Sequence, residues 1–277
     1  MRANRLGVGI GKTAAVAVIL LWSLFPIAFM ALSSLKPARE IFAVPPTFAF
    51  VPTLEHYTAL LVRWPDFFRG LWNSLIVTVG ATVLTAIVST MAGYAYSRFR
   101  SPALTRSASF LVAVRLLPPI VLTLPLFPLI NWLGLSDTHF TLIVLYATFF
   151  VSLGTLLMRA FVDKIPVELD EAALVDGAGR GTVIAKVIAP LALPGMLALS
   201  VFVIVFAWNE FLFAFVFTST RAKTAPLIVS EMLGSFDGVD WGVLFAAATI
   251  QLLPILIFVC VMQRHLVAGL TSGATKG

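Results

Sequence analysis

The sequence predicts an all-α integral membrane protein with six transmembrane helices, and three observations carry that prediction. Of 277 residues, 60% are hydrophobic and 12% are charged, and the mean hydropathy is +1.00. Soluble domains hold about 45–50% apolar and about 25% charged residues. Six uncharged intervals of at least 21 residues run through the chain, and a helix needs roughly 20 apolar residues to cross the hydrocarbon. Stretches such as Val201-Phe-Val-Ile-Val-Phe206 lack the alternation of membrane-barrel strands. Closed backbone hydrogen bonding within lipid then leaves helices.

The first interval, Thr13–Leu35, follows a basic start of Arg2, Arg5 and Lys12. Its apolar run of about 20 residues exceeds the core of a secretory signal, and no small-x-small site stands near Ser33-Ser34-Leu35-Lys36, so it reads as a retained helix. Residues 36–69 carry Pro37, Pro45, Pro46, Pro52 and Pro65. That composition predicts an ordered, non-helical entry with one short helix near Leu54–Val62. Gly70–Ser97 is the second span and Leu116–Ser136 the third, kinked by Pro118-Pro119, because two prolines interrupt the helical bonds. A tight turn at 133–138 leads into the fourth span, Thr138–Met158. The fifth and sixth are Val187–Asn209 and Trp241–Gln263. The organisation is an N-terminal segment 1–12, a membrane domain 13–264 containing a charged loop 159–190, and a C-terminal tail 265–277.

Orientation follows from Lys and Arg. With the N-terminus in the cytosol, inside segments hold 12 basic residues and outside segments 6, and Arg115 lies within a span. This bias predicts that both termini are cytosolic. The net charge of +6, from 19 Lys+Arg against 13 Asp+Glu, is too thinly spread for a nucleic-acid groove, so no nucleic-acid partner is expected. Cys260 is the single cysteine, so no intrachain disulfide can form. His56, His139 and His265 are scattered, and no metal site is expected. Gly7-Val-Gly-Ile-Gly-Lys-Thr13 imitates a phosphate loop, but the position of the motif's first Gly is Leu6 and no buried strand precedes it. The chain is not expected to be an enzyme, and it has no cofactor of its own.

The charged loop carries its own helical signal. Pro166 suits a first helical position. Glu168, Asp170 and Glu171 fall in the first turns, where they favour the positive end of the helix dipole. Ala172 and Ala173 are small helix formers, and Gly177 ends the helix or turns the chain. Thr182–Ile188 resumes a helical pattern, with Pro190 and Pro194 opening the next span. The expected arrangement is a short helix, a glycine bend and a second helix on the membrane face. It reads either as an ordinary amphipathic loop or as a knob for another protein's cleft.

Glu171-Ala172-Ala173, three residues, Gly177, nine residues, then Val187-Ile188-Ala189-Pro190 resembles the EAA loop of ABC-importer permeases. The usual ending is Ile-x-Leu-Pro. Val187 and Ala189 depart from it but stay apolar. Ser34-Leu35-Lys36-Pro37, Pro45-Pro46, Asn73-Ser74, Tyr94-Ala-Tyr-Ser-Arg98, Trp208-Asn209 and the tail Gly269–Gly277 are similar to the second permease subunit of carbohydrate importers, such as those for maltose and trehalose. The resemblance spans nearly the whole chain. It implies the type I ABC-importer permease fold and a prokaryotic inner-membrane location. It also implies a homologous second permease, two copies of a cytosolic ATPase that hold the ATP and Mg, and an extracytoplasmic solute-binding protein. Glu168, Glu171, Ala172, Ala173, Asp176, Gly177 and Pro190 would couple to the ATPase, and Gly269, Thr271, Gly273 and Lys276 would approach it. The solute stays open among oligosaccharides, monosaccharides, polyols and glycerol-phosphate compounds.

Arg115 and Glu210 are charges in otherwise apolar spans. Each costs about 2.5–3.5 kcal/mol at a helix centre on insertion scales, so each is expected to face a cavity or a partner. With Pro118 and Asn209 they form a candidate lining for the translocation pathway. The alternative is a structural pair that fixes helix packing. A secondary transporter would need inverted repeats and more intramembrane acids, and a membrane enzyme would need clustered His, Asp or Glu. Neither pattern is present.

Overall fold

The structure is a computed structural model that describes residues 2–235 and 238–274, with side chains described over 12–235 and 238–262. Every regular element among the described residues is helical. In chain order, α1 (Arg2–Ser33) leads through an irregular segment to the short α2 (Glu55–Arg63) and the long α3 (Asp66–Arg98). Next come α4 (Pro102–Arg115), α5 (Pro119–Trp132), α6 (His139–Val162), α7 (Glu168–Val175) and α8 (Arg180–Val183). A π turn, Ile184–Ile188, and α9 (Ala189–Leu191) carry α8 into α10 (Leu193–Trp208). α11 (Leu212–Phe217), α12 (Ala225–Leu233) and α13 (Trp241–Ala274) complete the order.

Four stretches are long and apolar enough to span a membrane as single helices: Lys12–Ser33, Asp66–Arg98, His139–Val162 and Trp241–Met262. Two more spans are bent pairs. α4 and α5 meet at 100°, and Arg180–Leu191 meets α10 at 79°. Counted as one crossing each, the pairs bring the total to six.

The bends correct two boundaries. The third span is not one kinked helix over Leu116–Ser136. It is two 14-residue helices beginning at Pro102, with the break at residues 116–118. Pro118 and Pro119 supply no N–H, and the residue before a proline avoids the α region, so the ladder cannot continue. Arg106 and Arg115 had hidden α4 from a count of uncharged residues. Ser101 caps α4 by accepting the N–H of Leu104. The fifth span does not run through Val187–Asn209. The chain turns at Ala192, with Pro194 in the first turn of α10, where a missing N–H leaves no bond unmade.

Two compact units form. The first comprises Met1–Phe67 with Val229–Leu253. Here the proline-rich entry is ordered and carries its one expected short helix, α2, within a residue of the expected bounds. Lys36 organises it. Its side chain is buried, with the ammonium 5.5–5.8 Å from the rings of Phe29, Phe48 and Phe50, a cation–π environment. Its carbonyl bonds the Nε2 of buried His56 at 2.7 Å.

The second unit comprises Phe68–Ile228 with Pro254–Gly277. Its core is built on α6 and α10, with Leu142, Met158, Val162, Leu199 and Val203 fully buried. Small residues let helices approach. A Cβ on Gly93 of α3 would lie 2.7 Å from the backbone N of Arg159 on α6, and one on Gly154 would collide with Ser89. Close backbone approach at small residues is how helices associate where lipid supplies no hydrophobic drive.

Candidate coupling segment and membrane cavity

α7 divides cleanly into two faces. Glu168, Glu171, Ala172 and Val175 recur at helical spacing and are all exposed. Val175 is 87% exposed, and Val167, Leu169 and Leu174 add further exposed apolar surface. The opposite face carries buried Asp170 and half-buried Ala173, which packs on the core. The acidic first turn is as expected, but Pro166 does not begin the helix. α7 starts two residues later at Glu168, and the Pro166 carbonyl accepts the Leu169 N–H at 3.4 Å. Gly177 ends the helix at φ +84° with open space around its Cα. A left-handed φ, not a steric limit, is what requires glycine there. Asp176 is the exposed residue before this bend, and Pro190 is exposed on α9.

A buried ion pair holds this segment. Arg98, the last residue of α3, donates from Nε to Asp170 Oδ2 at 2.8 Å, and the two side chains are 8% and 5% exposed. The same guanidinium donates to the carbonyls of Ile165 at 2.8 Å and Val162 at 3.3 Å. Three elements are thus tied by one side chain: the end of α3, the end of α6 and the first turn of α7. The Arg180 guanidinium lies 4.7 Å over the Phe99 ring, adding α8 to the cluster. Sequence reading placed Asp170 only in the helix dipole and gave Arg98 no role. Its position at the close of Tyr94-Ala-Tyr-Ser-Arg98, beside a second charged segment, was the available signal.

The other end of α6 is pinned by a different device. Asp137, at φ +57° in the turn before α6, accepts N–H groups from Ser219, Thr220, Arg221 and Ala222 at 2.9–3.2 Å and the Thr220 hydroxyl at 2.7 Å. Burial pushes this carboxyl up, but the N–H groups of Arg221 and Ala222, the Thr220 hydroxyl and the Ser219 N–H outweigh it and hold the group well below its ordinary range. Asn73 donates to the carbonyls of Arg221 and Lys223 and pairs with His139 Nε2 at 2.7 Å, while Ser74 Oγ accepts the Ala225 N–H. The Asn73-Ser74 pair thus fixes the loop between α11 and α12.

Between these ends lies a cavity of about 350 Å³ at the break that separates α10 from α11. Tyr146, Phe149 and Phe150 of α6, Phe206 of α10, Asn209, Glu210 and Pro119 are among its walls. Glu210 is not inside a helix, as the sequence suggested. It follows the break at the end of α10, and its carboxylate accepts the N–H of Phe213 at 3.0 and 3.2 Å and of Ala214 at 3.4 Å. The acid therefore caps α11, as an N-terminal carboxylate does. Tyr146, only 1% exposed, lines the same cavity. Asn209 returns its Nδ2 to the Val205 carbonyl at 2.8 Å.

The structure thus gathers Asn209 and Glu210 at one cavity and leaves Arg115 apart. Arg115 ends α4, is exposed, and has no hydrogen bond or ion pair among the described residues. The alternative reading, a pair between Arg115 and Glu210, is not formed among the described residues; the Glu210 oxygens accept the backbone N–H groups of Phe213 and Ala214. Pro118 sits at the break before α5, whereas Pro119 reaches the cavity. Gly269, Thr271 and Gly273 fall within the bounds of α13 but their side chains lie outside the described ones, and Lys276 lies outside the described residues. Among the described residues no His, Cys, Asp or Glu cluster is placed to hold a metal.

The chain is 34% identical to an inner membrane ABC transporter permease protein of Escherichia coli, YcjP, covering 97% of this chain and 96% of that one. It is 35% identical to the trehalose transport system permease protein SugB of Mycobacterium tuberculosis, covering 92% and 93%. Its fold matches a chain in the crystal structure of a bacterial ABC transporter involved in the import of the acidic polysaccharide alginate. That match has a TM-score of 0.76 at 21% identity and covers 95% of this chain and 98% of the other. This is the type I importer-permease fold. The profile of a transport family matches residues 86–272, from within α3 to within α13, and the chain belongs to that family, the binding-protein-dependent transport system inner membrane components.

Proposed function

We propose that this permease carries a carbohydrate or a related polyol into a prokaryotic cell and is driven through α7 by a separate cytosolic ATPase. The observation that carries the reading is the two-faced α7. Asp170 anchors one face through Arg98, and the other presents Glu168, Glu171, Ala172 and Val175, all exposed among the described residues. A small, rigid face of this kind gives a partner close contact at little entropic cost. Two ATPase copies would take the equivalent segments of this subunit and of a homologous second permease. An extracytoplasmic binding protein would deliver the solute to the opposite end, by the loops that Asp137 and Asn73 fix. ATP and Mg belong to the ATPase, because this chain lacks phosphate-loop spacing. Asp176, Gly177 and Pro190 shape the segment, and Gly269–Gly277 approaches the same partner. The carbohydrate class rests on relatives such as the trehalose permease, and both termini are assigned to the cytosol from the basic-residue bias.

The experiment is co-purification of the ATPase with Glu171→Lys, together with ATP turnover of the reconstituted complex stimulated by loaded binding protein. Truncating one partner of a buried interfacial charge pair costs about 2–5 kcal/mol, so reversing Glu171 is expected to abolish co-purification and uptake while the subunit still inserts. Wild-type recovery of the ATPase and wild-type stimulation would refute the docking assignment.

A further inference from the structure

A second cavity, of about 720 Å³, lies where the close of α3, the first turns of α4 and the last turn of α6 meet. Its level in the membrane can be counted. α6 has 24 residues, about 36 Å of rise, against roughly 30 Å of hydrocarbon and about 40–45 Å with the headgroup layers. A span of that length puts its last turn at the boundary between hydrocarbon and headgroups. Arg159 lies in that turn, three residues before the end of α6. Arg100, two residues past the end of α3, lines the same space.

The walls are basic and hydroxylated on one side and apolar on the other. Arg100 is exposed and has no hydrogen bond or ion pair among the described residues. Arg159 is only loosely engaged: its Nε is 3.7 Å from Asp163 Oδ2, and both side chains are half-exposed. Among the described residues no acid lines the cavity. A guanidinium carries five N–H donors in a fork that matches phosphate oxygens. Thr105 and Ser109, also on the wall, spend their hydroxyls on 3.3 Å bonds to carbonyls one turn back. Such long, exposed bonds can be exchanged for a headgroup oxygen. Leu104 and Ala108 form the apolar wall with Phe99. They are one turn apart on α4, and the same stripe continues to Val112, which is 49% exposed.

We infer that this cavity takes the phosphodiester headgroup of an anionic phospholipid from the leaflet at the α7 end, with one acyl chain along Leu104, Ala108 and Val112. A free phosphate would match the arginines but leave the apolar stripe unused. A zwitterionic headgroup would bring its own ammonium to two guanidiniums that already lack a close counter-charge. Basic pockets between transmembrane helices suit anionic headgroups for this reason. The volume of about 720 Å³ falls within the range of small-molecule sites, roughly 300–1,000 Å³. A lipid held there ties α4 to the ends of α3 and α6. The site depends on neither the solute nor the ATPase.

The test uses the full importer in phosphatidylcholine nanodiscs to which phosphatidylglycerol is added in steps. In a Cys260→Ala background, the maleimide reaction of Thr105→Cys is followed on this subunit. Phosphatidylglycerol is expected to slow it at least threefold, with a definite half-protecting fraction. Adding Arg100→Gln or Arg159→Gln is expected to raise that fraction about fivefold each, the effect of one basic residue near a charged headgroup. Arg106→Gln, exposed on α4 but not on the wall, is expected to leave it unchanged. Inorganic phosphate and glycerol phosphate in pure phosphatidylcholine are expected to give no protection. If one arginine variant fails to assemble, the other and the lipid titration decide. Absence of protection at every phosphatidylglycerol fraction overturns the site. An equal shift in Arg106→Gln reduces it to general surface charge, and protection by free phosphate replaces the lipid by a soluble anion; either result refutes the inference.

Discussion

Replacing Arg98 by Met isolates the contribution of the buried pair to the coupling segment. The substitution keeps an unbranched apolar stem and deletes the donors to Asp170 Oδ2 at 2.8 Å, Ile165 O at 2.8 Å and Val162 O at 3.3 Å. It leaves a carboxylate only 5% exposed, whose Oδ1 already lacks a partner. Removing one member of a buried ion pair costs about 3–5 kcal/mol. At 1.4 kcal/mol per factor of ten, the open population of the segment rises by roughly 10² to 10³ or slightly more. The loss is expected to be local, because the bonded partners of Arg98 in other elements all lie within residues 162–170. Hydrogen exchange of the purified subunit in nanodiscs is the assay. Amides of residues 168–178 are expected to exchange at least a hundredfold faster, with residues 142–158 unchanged. Arg98→Met combined with Asp170→Leu is expected to recover most of the protection, since an apolar pair replaces a buried ionic one at little cost. Exchange within fivefold of wild type in Arg98→Met would refute the claim that this pair holds α7.

Gly177→Ala, at φ +84°, should cost about 1–2 kcal/mol in backbone strain and reduce recovered ATPase severalfold; Gly177→Asn, which tolerates that φ better, should recover more, and equal recovery of both would remove the backbone argument. Reporter fusions after residues 50 and 230 should read outside and those after 103 and 175 inside, so an inside signal at 230 is incompatible with the six-span topology. The folded-state pKa of Asp137 is lowered from an ordinary aspartate value of about 3.9, so its stabilisation is complete above about pH 4 and is lost as pH falls below it. Thermal melts of wild type and Asp137→Asn should therefore differ by a constant amount from pH 8 to 5 and converge in stronger acid, whereas a difference that grew on acidification would contradict the assignment.

Much of the architecture was legible because its causes are local in sequence. Uncharged length marked the straight spans, and Pro166, the acids and Gly177 marked α7 to within two residues. The bent spans were not legible by the same count. Arg106 and Arg115 interrupt α4, and a rule that searches for uncharged intervals cannot join a charged half-helix to the apolar α5. Glu210 was found as an anomalous charge, but its capping of α11 depends on a helix break that nothing before residue 209 announces. Arg98 and Asp170 lie 72 residues apart, and two ordinary surface-type residues at that separation carry no pairwise signal in one sequence. Tyr146 and the cavity phenylalanines were lost among 23 phenylalanines, most of them plausible lipid-facing or core residues.

α6 is clamped at both extremities. Asp137 fastens the turn before it to the loop after α11, and Arg98 grips the Val162 carbonyl at its close. Between them run 24 residues of continuous helix, about 36 Å, stiff along its axis because every turn is cross-braced by its own backbone bonds. In mechanical terms it is a strut with riveted ends, not a spring. A push on α7 cannot be absorbed by stretching α6. It must either shift the strut bodily, taking Tyr146 and Phe150 with it, or shear the Arg98 rivet.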